Sequence, residues 1–136
     1  MDKKTFLCKY HNLARRIEYL KKDIERCEEL ASSIPGPNYG ERINNSSPSY
    51  EAPFVKWIYR RMDDESELKK LEPEAEEVKK TILDAISKIG DTELESVLIY
   101  RYIYWNSWSE ISDKIYASSS TVRRLHDKAF EAFQVP

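Results

Sequence analysis

The run Ser118-Ser119-Ser120-Thr121 is followed at once by Val122-Arg123-Arg124-Leu125, so four hydroxyl side chains stand directly ahead of two guanidinium groups. Hydroxyls at a helix start accept the backbone N–H groups that the first turn leaves unbonded. Arginines about one turn further on carry planar forks of donors that match phosphate oxygens or the edge of a guanine. The chemistry on offer is recognition of an anion or a base edge rather than the making of bonds. Ser118 is placed to be the N-cap, its hydroxyl accepting the N–H of Ser120 or Thr121. Val122, Leu125, Ala129 and Phe133 then recur at helical spacing as one buried stripe. The opposite face carries Ser120, Arg123, Arg124 and Asp127, with Ser119 and Lys128 flanking it. Arg124 and Ser120 point most directly away from the stripe, and Arg123 leans to the side.

The elements that must hold this helix lie just ahead of it. "SWSE" reads as a capping box, with Ser107 as N-cap and Glu110 three residues on. Trp108, Ile111 and Ile115 give that short helix its inner face, and it ends at Tyr116-Ala117. Before it, Asp91 or Thr92 caps a helix that buries Leu94, Val97, Leu98 and Tyr102. Two short helices, a tight turn and a second helix whose polar N-terminal half faces outward describe a helix-turn-helix. The aromatic-rich "YRYIYWNSW" could stack bases, but the spacing of Tyr102, Trp105 and Trp108 suits core. His126, beside the apolar stripe, reads as a partly buried packing residue that bonds a neighbour.

Upstream, apolar residues fall at Phe6, Tyr10, Leu13, Ile17, Leu20, Ile24, Cys27, Ala31 and Ile34, an unbroken heptad seam. So narrow a stripe needs a partner helix. Residues 35–53 hold four of the six prolines and two of the three glycines, which predicts a flexible loop. Val55, Ile58 and Met62 then open a stripe, and a second one runs through Leu68, Leu71, Ala75, Val78, Ile82, Ala85 and Ile89. Pro73 near their join predicts a kink or break, and Gly90 stands where a helix C-terminus needs one. The expected fold class is all-α: a long N-terminal coiled-coil hairpin followed by a small helix-turn-helix bundle. Its parts are a coiled-coil helix over 1–34, a loop over 35–53, a second long helical region over 54–90, and the helix-turn-helix over 91–136.

The 136 residues are 34% charged with only three glycines, and the mean hydropathy is −0.69, which favours a helical, solvent-exposed chain. Net charge is −2, so affinity for nucleic acid must come from where charge sits. Residues 1–22 carry seven Lys or Arg against two acids, whereas residues 91–136 carry five against seven. Cys8 and Cys27 on one helix would stand roughly 28 Å apart at the α-helical rise, too far for a disulfide. "MDDESE", Met62 to Glu67, clusters carboxylates but lacks a second ligand set, so no metal is expected, and no cofactor. With no nucleophile–base pair and no Gly-rich phosphate loop, an enzyme is not expected. No apolar run approaches the length of a membrane span, so the expectation is a cytoplasmic protein with no membrane partner.

Leu94 to Phe133 resembles the helix-turn-helix of region four of bacterial sigma factors. The likeness rests on Arg101-Tyr102, then Trp108, Glu110 and Ile111, then Ser118, Ser120, Thr121, Val122, Arg123, Arg124, Leu125, His126 and Ala129. With the charged heptad helix and "SSIPGPNYGERINNSS", most of the chain resembles small phage proteins of unknown function that join such a module to an N-terminal coiled coil. That family is related to phage late-gene transcriptional activators. Where it usually has a small residue this chain has Ser112, and where it has a turn glycine this chain has Tyr116. If the turn needs a positive φ, a tyrosine there is strained.

The resemblance implies a phage or prophage transcriptional regulator in a bacterial host cytoplasm, reading the major groove of double-stranded DNA with the helix that starts at Ser118. Its DNA-binding residues would be Ser118, Ser119, Ser120, Thr121, Arg123, Arg124 and Lys128, and the coiled coil would hold a homo-oligomer. The alternatives are a DNA-packaging protein like a small terminase subunit, and a non-DNA interaction protein that binds RNA polymerase through the same surface.

Overall fold

The computed structural model describes residues 1–33 and 54–136; the expectations for Ile34 and for the segment 35–53 lie outside them. Among the described residues the fold is all-helical. Helix α1 spans Lys3–Ser33, α2 Val55–Ser87, α3 Thr92–Leu98, α4 Trp108–Ile115 and α5 Ser119–Ala132, with a π-helical segment, Ile99–Ile103, directly after α3. The chain divides into two compact units, one of residues 1–16 and 72–136, the other of residues 17–71.

The first unit is the larger and is built around one apolar cluster. Phe6 and Leu7 of α1, Ile82, Ala85 and Ile86 of α2, Leu94 and Leu98 of α3, Tyr102 and Ile103 of the π-helical segment, and Ala129 and Phe133 meet there. Tyr10 lies under the Lys79 ammonium, 5.7 Å from its ring centre, so chain order reverses between α1 and α2 and the pair is antiparallel. Lys3 reaches the far end of α5 and donates to the carbonyls of Phe130 at 2.9 Å and Glu131 at 3.2 Å. Those carbonyls have no donor within their own helix, and a cation there also complements the helix dipole. The end of α2 tightens through Lys88 N–H to Ala85 O and Ile89 N–H to Ile86 O. Gly90 then reverses the chain at φ 80°, a conformation glycine adopts without penalty.

Proline at 73 does not break α2, which is helical from Val55 to Ser87. Pro73 is exposed, and its ring removes the donor that the Lys69 carbonyl would otherwise have. A departure from expectation follows α3. A π-helical segment carries the extra residue per turn, its Tyr104 N–H reaching back to Ile99 O at 3.2 Å. Tyr102 and Ile103, both in this segment, are buried.

The second unit holds a polar core that the heptad reading missed. Leu20 and Cys27 are fully buried, as the seam predicts, but Asp23 is buried between them, and Ile24 is only half-buried. Met62, expected on the inner stripe of α2, is instead 55% exposed. The reason is an ion-pair cluster. Arg60 donates to both Asp23 oxygens, at 2.8 and 3.1 Å, and Arg26 donates to Oδ1 at 2.5 Å. Asp64, from the acidic run Met62 to Glu67, turns in beside them, its Oδ2 buried without a donor. One atom each of Asp23, Cys27 and Asp64 lies within 4.8 Å of the others. Donor spacing alone would suit a cation, but the two arginines already occupy both Asp23 oxygens.

Burial first, then the hydrogen bond with Asp23 and its charge, raise the Asp64 carboxyl to about 6. The hydrogen bond from Asp64, then Arg60, hold Asp23 below its ordinary value. Of the two acids Asp64 is thus the one that takes up a proton first, as pH falls through about 6. A carboxyl raised on folding stabilises the native state fully below its unfolded value of 3.8 and loses that contribution as pH rises through about 6. Asp64→Asn keeps a donor toward Asp23 at every pH. It should melt about 4 °C above the parent at pH 8, as expected for roughly 1 kcal/mol, and the gain should vanish below pH 4. Thermal melting by circular dichroism at the two pH values tests this, and parallel curves at both would show that the acids share no proton.

Candidate nucleic-acid interface

Three bonds at a single serine make the turn between α4 and α5. The C-cap of α4 is Tyr116, at φ 57° and ψ 44°, the left-handed region. Its N–H and that of Ala117 both reach the Ser112 carbonyl, and the Ser112 hydroxyl donates to Ala117 O. The two positions at which the sequence departs from the family pattern are therefore coupled. Tyrosine at a left-handed position costs roughly 1–2 kcal/mol, and the serine side chain supplies a bond that a small apolar residue could not. The turn runs only from Tyr116 to Ser118 before α5 begins.

Both helices start as their sequences predict. Ser107 Oγ accepts the Glu110 N–H at 3.1 Å and Glu110 Oε1 accepts the Ser107 N–H at 2.9 Å. These bonds, the backbone one first, hold the Glu110 carboxyl below its ordinary value. Ser118 Oγ accepts the Thr121 N–H at 3.2 Å and bonds the Thr121 hydroxyl at 2.8 Å. Val122 and Ala129 are buried and Leu125 half-buried, and Phe133 closes the stripe just past the helix end.

Rotation of α5 about its axis is fixed by His126. Its Nε2 lies 2.8 Å from the Tyr102 hydroxyl and its Nδ1 lies 3.4 Å from Asp127 Oδ1. Burial holds this imidazole below its ordinary value. In the tautomer with its proton on Nδ1 the ring donates toward Asp127 and accepts the Tyr102 O–H on Nε2. Trp108 meets the same ring edge-on at 4.9 Å, so α4, α5 and the π-helical segment converge on one side chain.

With that face turned inward, the candidate residues come together on the outside. Ser118, Ser119, Ser120, Arg123, Arg124 and Lys128 are all exposed and Thr121 is half-buried. Thr121 and Ser118 spend their hydroxyls on capping and Ser120 Oγ lies 3.3 Å from Ser118 Oγ, which leaves Ser119 as the uncommitted hydroxyl of the tip. Among the described residues neither Arg123 nor Arg124 bonds an acid. Asp127 on the same face is turned toward His126.

Tyr102 is core, as its spacing predicts, and Trp108 is half-buried. Trp105 is not core; it is 46% exposed and sits at φ 55°. It follows the π-helical segment, and its indole stacks on His11 at 3.5 Å with the planes 4° apart. Arg101 covers the other tryptophan, 4.1 Å from the Trp108 ring centre, and donates to Asn106 O at 3.0 Å. These groups border a cleft of about 680 Å³ lined also by Cys8 and Phe130, which no spacing in the sequence signals because α1 supplies one wall. Cys8 and Cys27 are both free thiols. No helix among the described residues is long and apolar enough to cross a membrane. Comparison with protein-family models, with curated proteins and with solved structures finds no match.

The pinned turn gives a direct expectation. Ser112→Ala should lower stability by about 1 kcal/mol in chemical denaturation, the usual worth of such a hydrogen bond. In a Tyr116→Gly background, where the left-handed conformation carries no penalty, the same change should cost less. Equal costs in the two backgrounds would mean that the residues act independently.

Proposed function

We propose that the chain is a DNA-binding transcriptional regulator of phage or prophage type, with α5 as the helix that enters the major groove. The observation that supports this best is the outer face of α5. Two arginines without acid partners follow a tip of small hydroxyls, on a helix whose rotation is held by Tyr102 and His126. A slender tip lets a helix N-terminus approach a duplex closely, and forked donors a turn behind it reach base edges and phosphates. The resemblance to sigma region four and to the small phage proteins adds to the reading.

One such module carries few cations and an acidic balance, so useful affinity calls for two half-sites and an oligomer. Leu13, Ile17 and Ile24 of the heptad seam remain only half-buried, apolar surface that a second copy would cover. The same acidic balance favours the alternative of a protein partner such as RNA polymerase. A packaging role would require a ring rather than a dimer, and native mass separates the two.

Random-site selection followed by binding measurements over a range of salt tests the DNA reading. Arg124, directed away from the buried stripe, should read a base: Arg124→Ala should cost about 1–3 kcal/mol at the preferred site and relax preference at one position. Arg123, set to the side, should meet a phosphate. Arg123→Ala should weaken all sequences alike and lower the salt slope by about one. If both variants are folded by thermal melting and bind as the parent does at every salt concentration, α5 reads no groove. Its outer face then serves a protein.

A further inference from the structure

Two residues other than glycine have positive φ among those described, Trp105 at 55° and Tyr116 at 57°. They differ in what their side chains do. Trp105 stacks flat on His11, an internal contact that offsets its conformation. Tyr116 is 96% exposed, and among the described residues its ring meets no other ring and its hydroxyl makes no hydrogen bond. Glycine would hold the same turn without strain and without presenting an aromatic side chain to water. The Ser112 bond holds the backbone of this turn, but among the described residues nothing engages the tyrosine side chain itself, and backbone outliers of this kind cluster where a side chain is aimed at a ligand.

Placement says which ligand. Tyr116 stands two residues before the N-cap Ser118, so its Cα lies within about 7 Å of that of the N-cap even if the chain is fully extended. A helix tip inserted into a major groove roughly 12 Å wide puts the residues just ahead of it against a phosphate wall of that groove. We infer that Tyr116 is a backbone clamp: its phenol O–H donates to a phosphate oxygen and its ring packs on the adjoining deoxyribose, fixing the depth and register of α5 on the duplex. The inference rests on the DNA-binding reading of α5. Tyrosine suits the task, since few rotors are frozen on binding and the hydroxyl is a neutral donor. It takes no phosphate charge out of the counterion atmosphere, so it adds affinity for every sequence without adding to the salt slope.

The experiment compares the parent, Tyr116→Phe, Tyr116→Gly and Arg124→Ala on the selected duplex and on a scrambled one, each at two salt concentrations. Loss of one neutral hydrogen bond should weaken Tyr116→Phe by about 3–10-fold, equally on both duplexes and with an unchanged salt slope. Tyr116→Gly should lose at least as much affinity while melting at a higher temperature than the parent, because strain is relieved as contact is lost. A merely structural tyrosine would leave affinity untouched. If Arg124→Ala weakens binding and both folded Tyr116 variants bind as the parent does, the clamp is overturned and the groove-reading role of α5 stands. If the parent shifts neither duplex, or Arg124→Ala binds as the parent does, the DNA reading itself fails and the clamp with it. An effect of Tyr116→Phe confined to the selected duplex would make Tyr116 a base reader instead and also overturn the clamp.

Discussion

Helices of seven, eight and fourteen residues, the lengths of α3, α4 and α5, scarcely persist alone in water, because a helix that short rarely recovers the entropy of its first turn. Their existence depends on burial. Leu7, Ile82, Ile86, Leu98 and Phe133 are almost wholly removed from solvent, and each fully buried aliphatic or aromatic side chain contributes about 1.5–3 kcal/mol. The first turns of α1 supply part of that apolar surface, and its Lys3 bonds the last carbonyls of α5. The outward face of α5 is therefore held by residues more than a hundred positions away in sequence, none of which need touch a ligand.

Burial sets the existence of the bundle, and directional bonds set its detail. An apolar stripe alone would let α5 turn about its axis by a fraction of a residue at small cost. The bond between Tyr102 and His126, with Trp108 packed on the same imidazole, removes that freedom, since a buried donor left unpaired costs about 1–3 kcal/mol. The second unit uses the same principle. Its Asp23 accepts from Arg26 of its own helix and from both nitrogens of Arg60 on the other, and a shift of either helix by one residue would lose the Arg60 pair. A polar group at a core position fixes register in this way more sharply than another leucine could.

Periodicity and capping are local properties, and they were legible in the sequence. Asp91, Ser107 and Ser118 each cap the helix that follows, because a short side-chain oxygen reaches only donors two or three residues on. The buried stripe of α5 and the exposed side of Arg123 and Arg124 follow from helical spacing in the same manner. The all-helical class, the long N-terminal helices and the three short helices after Gly90 were set at this level.

Tertiary structure decided what two distant segments must settle together. Spacing could not show that Asp64 would leave an acidic, solvent-facing run, because the arginine and aspartate that draw it inward sit on either side of a long connecting segment. Nor could it show the π-helical segment, after which Trp105 lies outside the core and stacks on His11; a spacing rule assumes the very period that changes here. Pro73 marks a missing donor in any sequence, yet whether the helix continues through it depends on what the rest of that helix packs against. Tyr116 belongs to both levels. The sequence shows a tyrosine between two short helices, and only the folded chain shows the left-handed backbone, with Ser112 bonded across the turn to hold it.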